Sequence, residues 1–279
     1  MKTITSATRP KIELAQSVFA FWRYRELTWQ LAWRDVTGRY KGSYLGLLWS
    51  FLNPLCMLII YTFVFSVVMK ARWRVHPQAN HFEYALTLFC GLIPFTIFAE
   101  SVSRAPGLVV TNVNYVKKIV FPLEVLPIVT LYSSLVHALI SLAILIVSAM
   151  LLLGSTNWSI LYLPLVVLPL IPMSLGFAWF LASLGVFIRD IGHTVAIVIQ
   201  ALFFTTPILY PASAVPQQFR FVLDINPLTP IVESVRCAII WGKAPPWTWL
   251  GAASAIAVII YLTGYYWFMR SKPAFADVL

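Results

Sequence analysis

The chain is written in long apolar runs separated by short polar links. A helix needs about 20 apolar residues to cross the ~30 Å hydrocarbon core of a bilayer. Runs of roughly that kind fall at about 44–69, 84–102, 126–153, 160–188, 194–210 and 247–269. They predict an all-α polytopic membrane protein with six transmembrane helices. Continuous runs of this length exclude an outer-membrane barrel, whose strands alternate. The fifth run is short and ends in Thr206-Pro-Ile-Leu-Tyr-Pro211, so a broken or tilted span is expected there.

The segments outside these runs have their own patterns. Residues 1–42 form a polar arm, and its late first apolar run predicts no cleavable signal peptide. Within the arm, helical spacing over about 17–40 places Phe19, Trp22, Trp29, Trp33, Val36 and Tyr40 on one face. Arg23, Gln30, Arg34, Asp35 and Arg39 lie off that face, while Arg25 and Glu26 interrupt it. A tryptophan-rich face with basic flanks predicts an amphipathic helix lying at the membrane surface, as an anchor or an aid to substrate uptake. Gly38, Gly42 and Gly46 follow at four-residue spacing and read as a hinge into the first span, the alternative being close helix packing. Between spans five and six, residues 211–246 are broken by Pro216, Pro227, Pro230, Pro245 and Pro246. Two short helices are expected there, near 219–223 and 229–241, the second capped by Thr229 with Pro230 at its first position. Neither is long enough to span, so a re-entrant hairpin or an external cap is predicted. Residues 43–279 then make one permease domain, with a polar loop at about 104–123 on one side and 211–246 on the other.

Composition agrees with the pattern. Of 279 residues 60% are hydrophobic and 11% charged, and the mean hydropathy is +0.82. A soluble domain has about 45–50% apolar and about 25% charged residues. Six spans put both termini on one side. That side receives 14 of the 20 lysines and arginines, eight of them in the N-terminal arm, which predicts cytoplasmic termini. Without the arm the two sides are equal. The net charge of +10 fits anionic headgroups or an anionic substrate, and since it sits in membrane flanks no nucleic-acid partner is expected. Cys56, Cys90 and Cys237 are scattered through apolar segments and read as packing residues.

Catalytic chemistry is hard to find. His76, His81, His137 and His193 are dispersed, so no zinc motif of the HExxH type is present and no metal site is expected. The ten acidic residues form no paired acid–base set. The Gly242-Lys243 pair is followed by Ala244, so no phosphate-binding loop exists, and no chain of intramembrane acids suggests a proton-driven pump. The chain is therefore expected to be no enzyme and to bind no cofactor. Work on a cargo would need energy from a partner.

One polar stretch offers a place for such a partner. Residues 112–127 read Asn-Val-Asn-Tyr-Val-Lys-Lys-Ile-Val-Phe-Pro-Leu-Glu-Val-Leu-Pro, with Pro122 separating two helices. Other distinctive elements are Arg34-Asp35, the run from Arg39 to Trp49, Asn53-Pro54, Phe187-Ile-Arg189-Asp190, Thr206–Pro211, and Asn226-Pro227 with Arg236. In this order and spacing, over about residues 20–275, they resemble the permease subunits of bacterial ABC transporters that export O-antigen, capsule or teichoic-acid polysaccharides. The resemblance implies a homodimer with two cytoplasmic ABC ATPase subunits in the bacterial inner membrane. ATP and Mg would be held by the partner. It also implies a coupling segment carrying Asn112, Asn114, Lys117, Lys118, Phe121 and Pro122. The bland alternative is that Lys117 and Lys118 tie a loop to headgroups. Arg189 and Asp190 form a second turn on the same side, read here as a local ion pair fixing a tight turn rather than as a partner contact.

For cargo, aromatic residues matter because sugar faces stack on rings. Trp49, Phe51, Tyr61 and Phe65 of the first span, with Phe203, Phe204 and Tyr210 of the fifth, are candidates to line a glycan channel. Tyr44, Phe51, Leu58 and Phe65 lie in sevenfold register. Aromatic stripes in spans also serve packing and interface belts. Arg34, Arg39 and Lys41 are candidates to receive an undecaprenyl-diphosphate-type lipid. The rival readings are an ABC exporter of a drug or small lipid, a membrane-embedded polyprenyl-phosphate enzyme, and a passive assembly anchor.

Overall fold

The computed structural model describes residues 23–39, 41–69, 73, 81–117, 121–154 and 157–279. Its regular structure among these residues is helical throughout. In chain order the helices are α1 (Arg25–Gly38), α2 (Trp49–Tyr61), α3 (His81–Arg104), α4 (Val113–Lys117), α5 (Val125–Leu153), α6 (Leu163–Val167), α7 (Leu170–Phe187), α8 (Ile191–Thr205), α9 (Arg220–Ile225), α10 (Leu228–Ile239), α11 (Trp247–Ser271) and α12 (Phe275–Val278). A π-helical stretch, Thr62–Val68, prolongs α2.

Among the described residues four helical runs are long and apolar enough to cross a membrane: Phe82–Gly107, Val125–Leu153, Trp158–Phe187 and Trp247–Val278. They match the second, third, fourth and sixth expected spans. The fourth is segmented, because Pro164 and Pro169 break it into a 3-10 turn, α6 and α7. The first and fifth expected spans are shorter apolar helices, Trp49–Phe65 and Ile191–Thr205. Tyr44 lies outside the first of them and is fully exposed, so its sevenfold register with Phe51, Leu58 and Phe65 does not hold. The link between α1 and α2 turns at glycines. Gly42 and Gly46 have φ of 90° and 51°, a left-handed conformation that glycine tolerates, and a Cβ on either would meet nothing within 4 Å.

Close helix contact is made elsewhere. The α7–α11 pair is the most extensive among the described residues, and two glycines let it close. A Cβ on Gly264 would overlap the carbonyl of Gly176, and one on Gly176 would overlap the backbone of Ile260. Without hydrophobic drive between helices in lipid, backbones brought this close by small residues supply the packing. Gly185 similarly presses its backbone on Pro106, at the elbow that follows α3.

Charges and rings tie the two ends of the bundle. At the end carrying α1 and α4, Lys272 pairs with Glu124 at 2.6 Å, and Phe275 packs against Phe187 and Phe268. At the other end α9 and α10 form the two expected short helices. The cap of α10 differs from expectation: Asn226 Oδ1 accepts the backbone N–H of Leu228 at 3.0 Å, so capping falls to Asn226 rather than Thr229. Arg236, one of the six basic residues that the sequence tally leaves on the other side, is fully buried (0% exposed). Its guanidinium donates to Thr87 O at 3.1 Å, Ile208 O at 2.9 Å and Glu233 at 2.7 Å, and lies 4.5 Å over the Trp73 ring. One side chain thus ties α10 to the start of α3 and the end of the fifth apolar run.

A Gly264→Val substitution is expected to force α7 and α11 apart and cost about 2–3 kcal/mol. Thermal unfolding of the purified protein in detergent should show a clear loss, whereas Gly251→Ala, which meets nothing within 4 Å, should not.

Candidate functional site

The polar groups gather at the α1 end of the bundle. The α1 helix packs on α5 through Thr28, Ala32 and Val36, with Ala32 seated against Val125 and Val129. Val36 is therefore buried, while Trp29 and Trp33 stay 55% and 51% exposed, stacked on each other at 6.2 Å. This corrects the expected single apolar face, because residues at 28, 32 and 36 form the protein-facing stripe and the two tryptophans point outward. Phe19, Trp22 and Tyr40 lie outside the described residues.

Four charges then join α1 to the end of α3. Arg104 grips Asp35 with both terminal nitrogens, at 2.9 and 2.7 Å. Arg39 pairs with Asp35 at 3.4 Å and with Glu100, which also lies 3.7 Å from Arg104. Isolated surface ion pairs contribute little, but a bidentate bond inside a network is the exception. Partial burial pushes the Asp35 carboxyl up, yet the Arg104 bonds and the Arg104 and Arg39 charges outweigh it and hold it at about 2. Arg39 is thus engaged by two carboxylates rather than open to an anion. Arg34 donates to the Tyr115 hydroxyl at 3.2 Å, and Lys41 is exposed.

Tyr115 belongs to α4, the expected coupling segment. Its ring stacks on Phe121 at 4.4 Å, and Asn112 Nδ2 donates to Leu108 O at 2.8 Å. Asn114 and Lys117 are exposed, Pro122 O accepts the N–H of Val125 at 3.0 Å, and the C-terminal α12 touches α4. Lys118 lies outside the described residues. The segment is therefore a short braced ledge held from one side by α1 and from the other by the C-terminus. Arg189 and Asp190 are both exposed and form no ion pair among the described residues, so the expected local pair is absent.

The aromatic candidates do not form one lining. Trp49 and Phe51 are exposed on α2. Tyr61 and Phe65 belong to a ring cluster with Tyr84 and Trp73. Phe203 packs edge-on to Phe95 at 5.4 Å, Phe204 is exposed, and the Tyr210 hydroxyl donates to Phe204 O. Sequence reasoning missed a feature that does form a cavity. A cleft of about 350 Å³ runs between α2, α3 and α5, from Arg39 and Glu100 inward past Asn53, Ser134 and His137 to Tyr61 and Phe89. The signal was legible in part: Ser134, His137 and Ser141 recur at helical spacing along an otherwise apolar span.

Among the described residues no three His, Cys, Asp or Glu side chains gather to hold a metal ion. The fold and this site define a multi-pass, all-helical membrane protein with a braced polar ledge at one end. The chain belongs to the ABC-2 type transporter membrane family, whose model matches residues 26–240. It is 29% identical over 258 residues, 92% of its length and 96% of the relative's, to the O-antigen export system permease protein RfbA of Myxococcus xanthus. It is 28% identical to the protein of the same name from Klebsiella pneumoniae, over 88% of this chain and 92% of that one. The polysialic acid transport protein KpsM of Escherichia coli is 26% identical over 75% of this chain and 79% of its own.

The ion network sets an expected pH response. A carboxyl depressed from 3.8 to about 2 contributes stability that is complete above the ordinary value and lost as pH falls toward the depressed one. Docking of α1, read from Trp29 and Trp33 fluorescence in detergent, should be constant from neutral pH down to about 4 and weaken below it. In Asp35→Asn the emission should already be shifted at neutral pH.

Proposed function

We propose that this chain is the transmembrane subunit of an ABC exporter that moves lipid-linked polysaccharide of the O-antigen, capsule or teichoic-acid type. It works as a homodimer with two ABC ATPase subunits, in the inner membrane of a bacterium, with both termini cytoplasmic. The six apolar helical runs are its six spans, with the π-helical extension completing the first and a tilted α8 the fifth. α1 lies in the membrane interface with Trp29 and Trp33 toward lipid, and α9–α10 form the external cap. The chain itself binds no cofactor. ATP and Mg belong to the partner, and α4 with Lys117 and Lys118 seats in a groove of that ATPase.

The observation that carries this reading is the braced ledge: α4 sits exposed at one end of the bundle, fixed to α1 through Arg34 and Tyr115. A short helix held this way transmits a push without bending. Family membership supports it, as do relatives named for O-antigen export and polysialic acid transport. The second copy meets the faces of α2 and α8, where Ile59, Ile60, Phe63, Ile197 and Val198 are exposed. Gln200 is exposed among the apolar residues of α8, and a polar amide there fits a channel wall better than lipid. Trp49, Phe51 and Phe204, the exposed members of the aromatic set, then offer ring faces along the glycan path. Arg34 and Lys41 lie where a lipid diphosphate would arrive, while Arg39 acts through its carboxylates.

Co-purification with the ATPase and assay in proteoliposomes tests the reading. Vanadate-sensitive ATP hydrolysis should rise several-fold with undecaprenyl-diphosphate-linked polysaccharide. The double variant Lys117→Glu with Lys118→Glu should lose about tenfold of the stimulated rate while the permease remains folded. A rate indifferent to the glycan lipid, or no associating ATPase, would contradict it.

A further inference from the structure

The cleft between α2, α3 and α5 sets neutral polar groups among apolar walls along its length. Its depth along α3 runs from Glu100 to Phe89, about 16 Å at 1.5 Å per residue. Its volume of about 350 Å³ falls at the small end of ligand pockets, roughly 300–1,000 Å³. Along one wall Ser134, His137 and Ser141 share a face of α5, and opposite them stand Asn53 and Tyr61 of α2. The Asn53 amide and the Tyr61 hydroxyl make no hydrogen bond to the described residues. Polar groups at membrane depth are expensive unless a partner satisfies them.

Charge narrows the occupant further. Among the described residues, Arg39 is the one arginine or lysine lining the cleft, and it is neutralised by Asp35 and Glu100. A phosphate would find no uncompensated arginine or lysine inside. Hydroxyls would find an amide, a phenol, seryl oxygens and the Tyr61 and Phe89 rings to rest against. That combination of neutral donors, acceptors and ring faces is the chemistry of a sugar site. The mouth opens beside α1, where exposed Lys41 and Arg34 are placed to hold a diphosphate outside while the neighbouring group enters.

We propose that this cleft binds the first sugar of the lipid-linked substrate, the one attached to the diphosphate, through Asn53 and Tyr61. The inference rests on the export reading and names the part of that substrate each protomer recognises. The sugar lies between α2 and α5 within one subunit.

The test uses the full-length protein in nanodiscs and two probes: undecaprenyl diphosphate bearing a single N-acetylhexosamine, and bare undecaprenyl diphosphate. The sugar-bearing lipid should bind about tenfold tighter, because a site built for hydroxyls rejects the ligand lacking them. Asn53→Leu and Tyr61→Phe should each reduce that preference to about twofold or less and leave binding of the bare lipid unchanged. Tyr61→Phe removes a single oxygen, so it reports even if Asn53→Leu misfolds, and bare-lipid binding serves as the check on folding. Equal affinity for the two probes, or a preference surviving in Tyr61→Phe, overturns the sugar site while leaving the export reading standing. Failure of both lipids to bind overturns the export reading and the site together.

Discussion

The bidentate bond from Arg104 to Asp35 is the constraint on which the working end of this protein depends. α1 buries only a narrow stripe of small residues, Thr28, Ala32 and Val36, against α5. The four-charge cluster fixes its position, because Arg104 is the last residue of α3 and cannot move without the span behind it. Arg34 then carries the same fixation on to Tyr115 in α4. α1, α3 and α4 are thereby linked side chain to side chain.

The rest of the bundle holds that piece in register. Gly185 lets α7 lie directly on the elbow at Pro106, two residues beyond Arg104. Lys272 and Glu124 bind the end of α11 to the start of α5, and Trp179 donates to the Glu124 carbonyl at 3.0 Å. At the opposite end the buried Arg236 holds α10 to the start of α3. α3 is consequently gripped at both ends and buried along most of its length, whereas α2 and α8 are loosely held and expose their apolar sides. On the proposed function, the rigid elements carry force and the loosely held ones face the second copy and the cargo.

Much of this was legible in the sequence, and what was not has physical causes. Apolar runs located the long helices because bilayer thickness fixes their length. The glycine turn at Gly42 and Gly46 and the two short helices after Pro211 were also readable from local chemistry. Pairings between distant segments were not. Arg39 and Asp35 look like open surface charges until α3 brings Glu100 and Arg104 beside them. Arg236 looks like a flank charge until Thr87, Glu233 and Trp73 close around it. The Arg189-Asp190 pair misled in the opposite direction, since neighbours in sequence need not meet at a turn. The single apolar face expected for α1 failed because its tryptophans and its small residues serve different surroundings.

On the proposed function α1 and α4 move as one body. Spin labels at Gly38→Cys and Asn114→Cys, both exposed positions, placed in a background lacking the native cysteines, measure it directly. With the ATPase bound, the inter-label distance should stay within about 2 Å between nucleotide-free and ATP-trapped states, and broaden only when Arg104→Ala is added. A distance that changes with nucleotide in the otherwise intact protein would show that the helix and the ledge are uncoupled, and the account would be wrong.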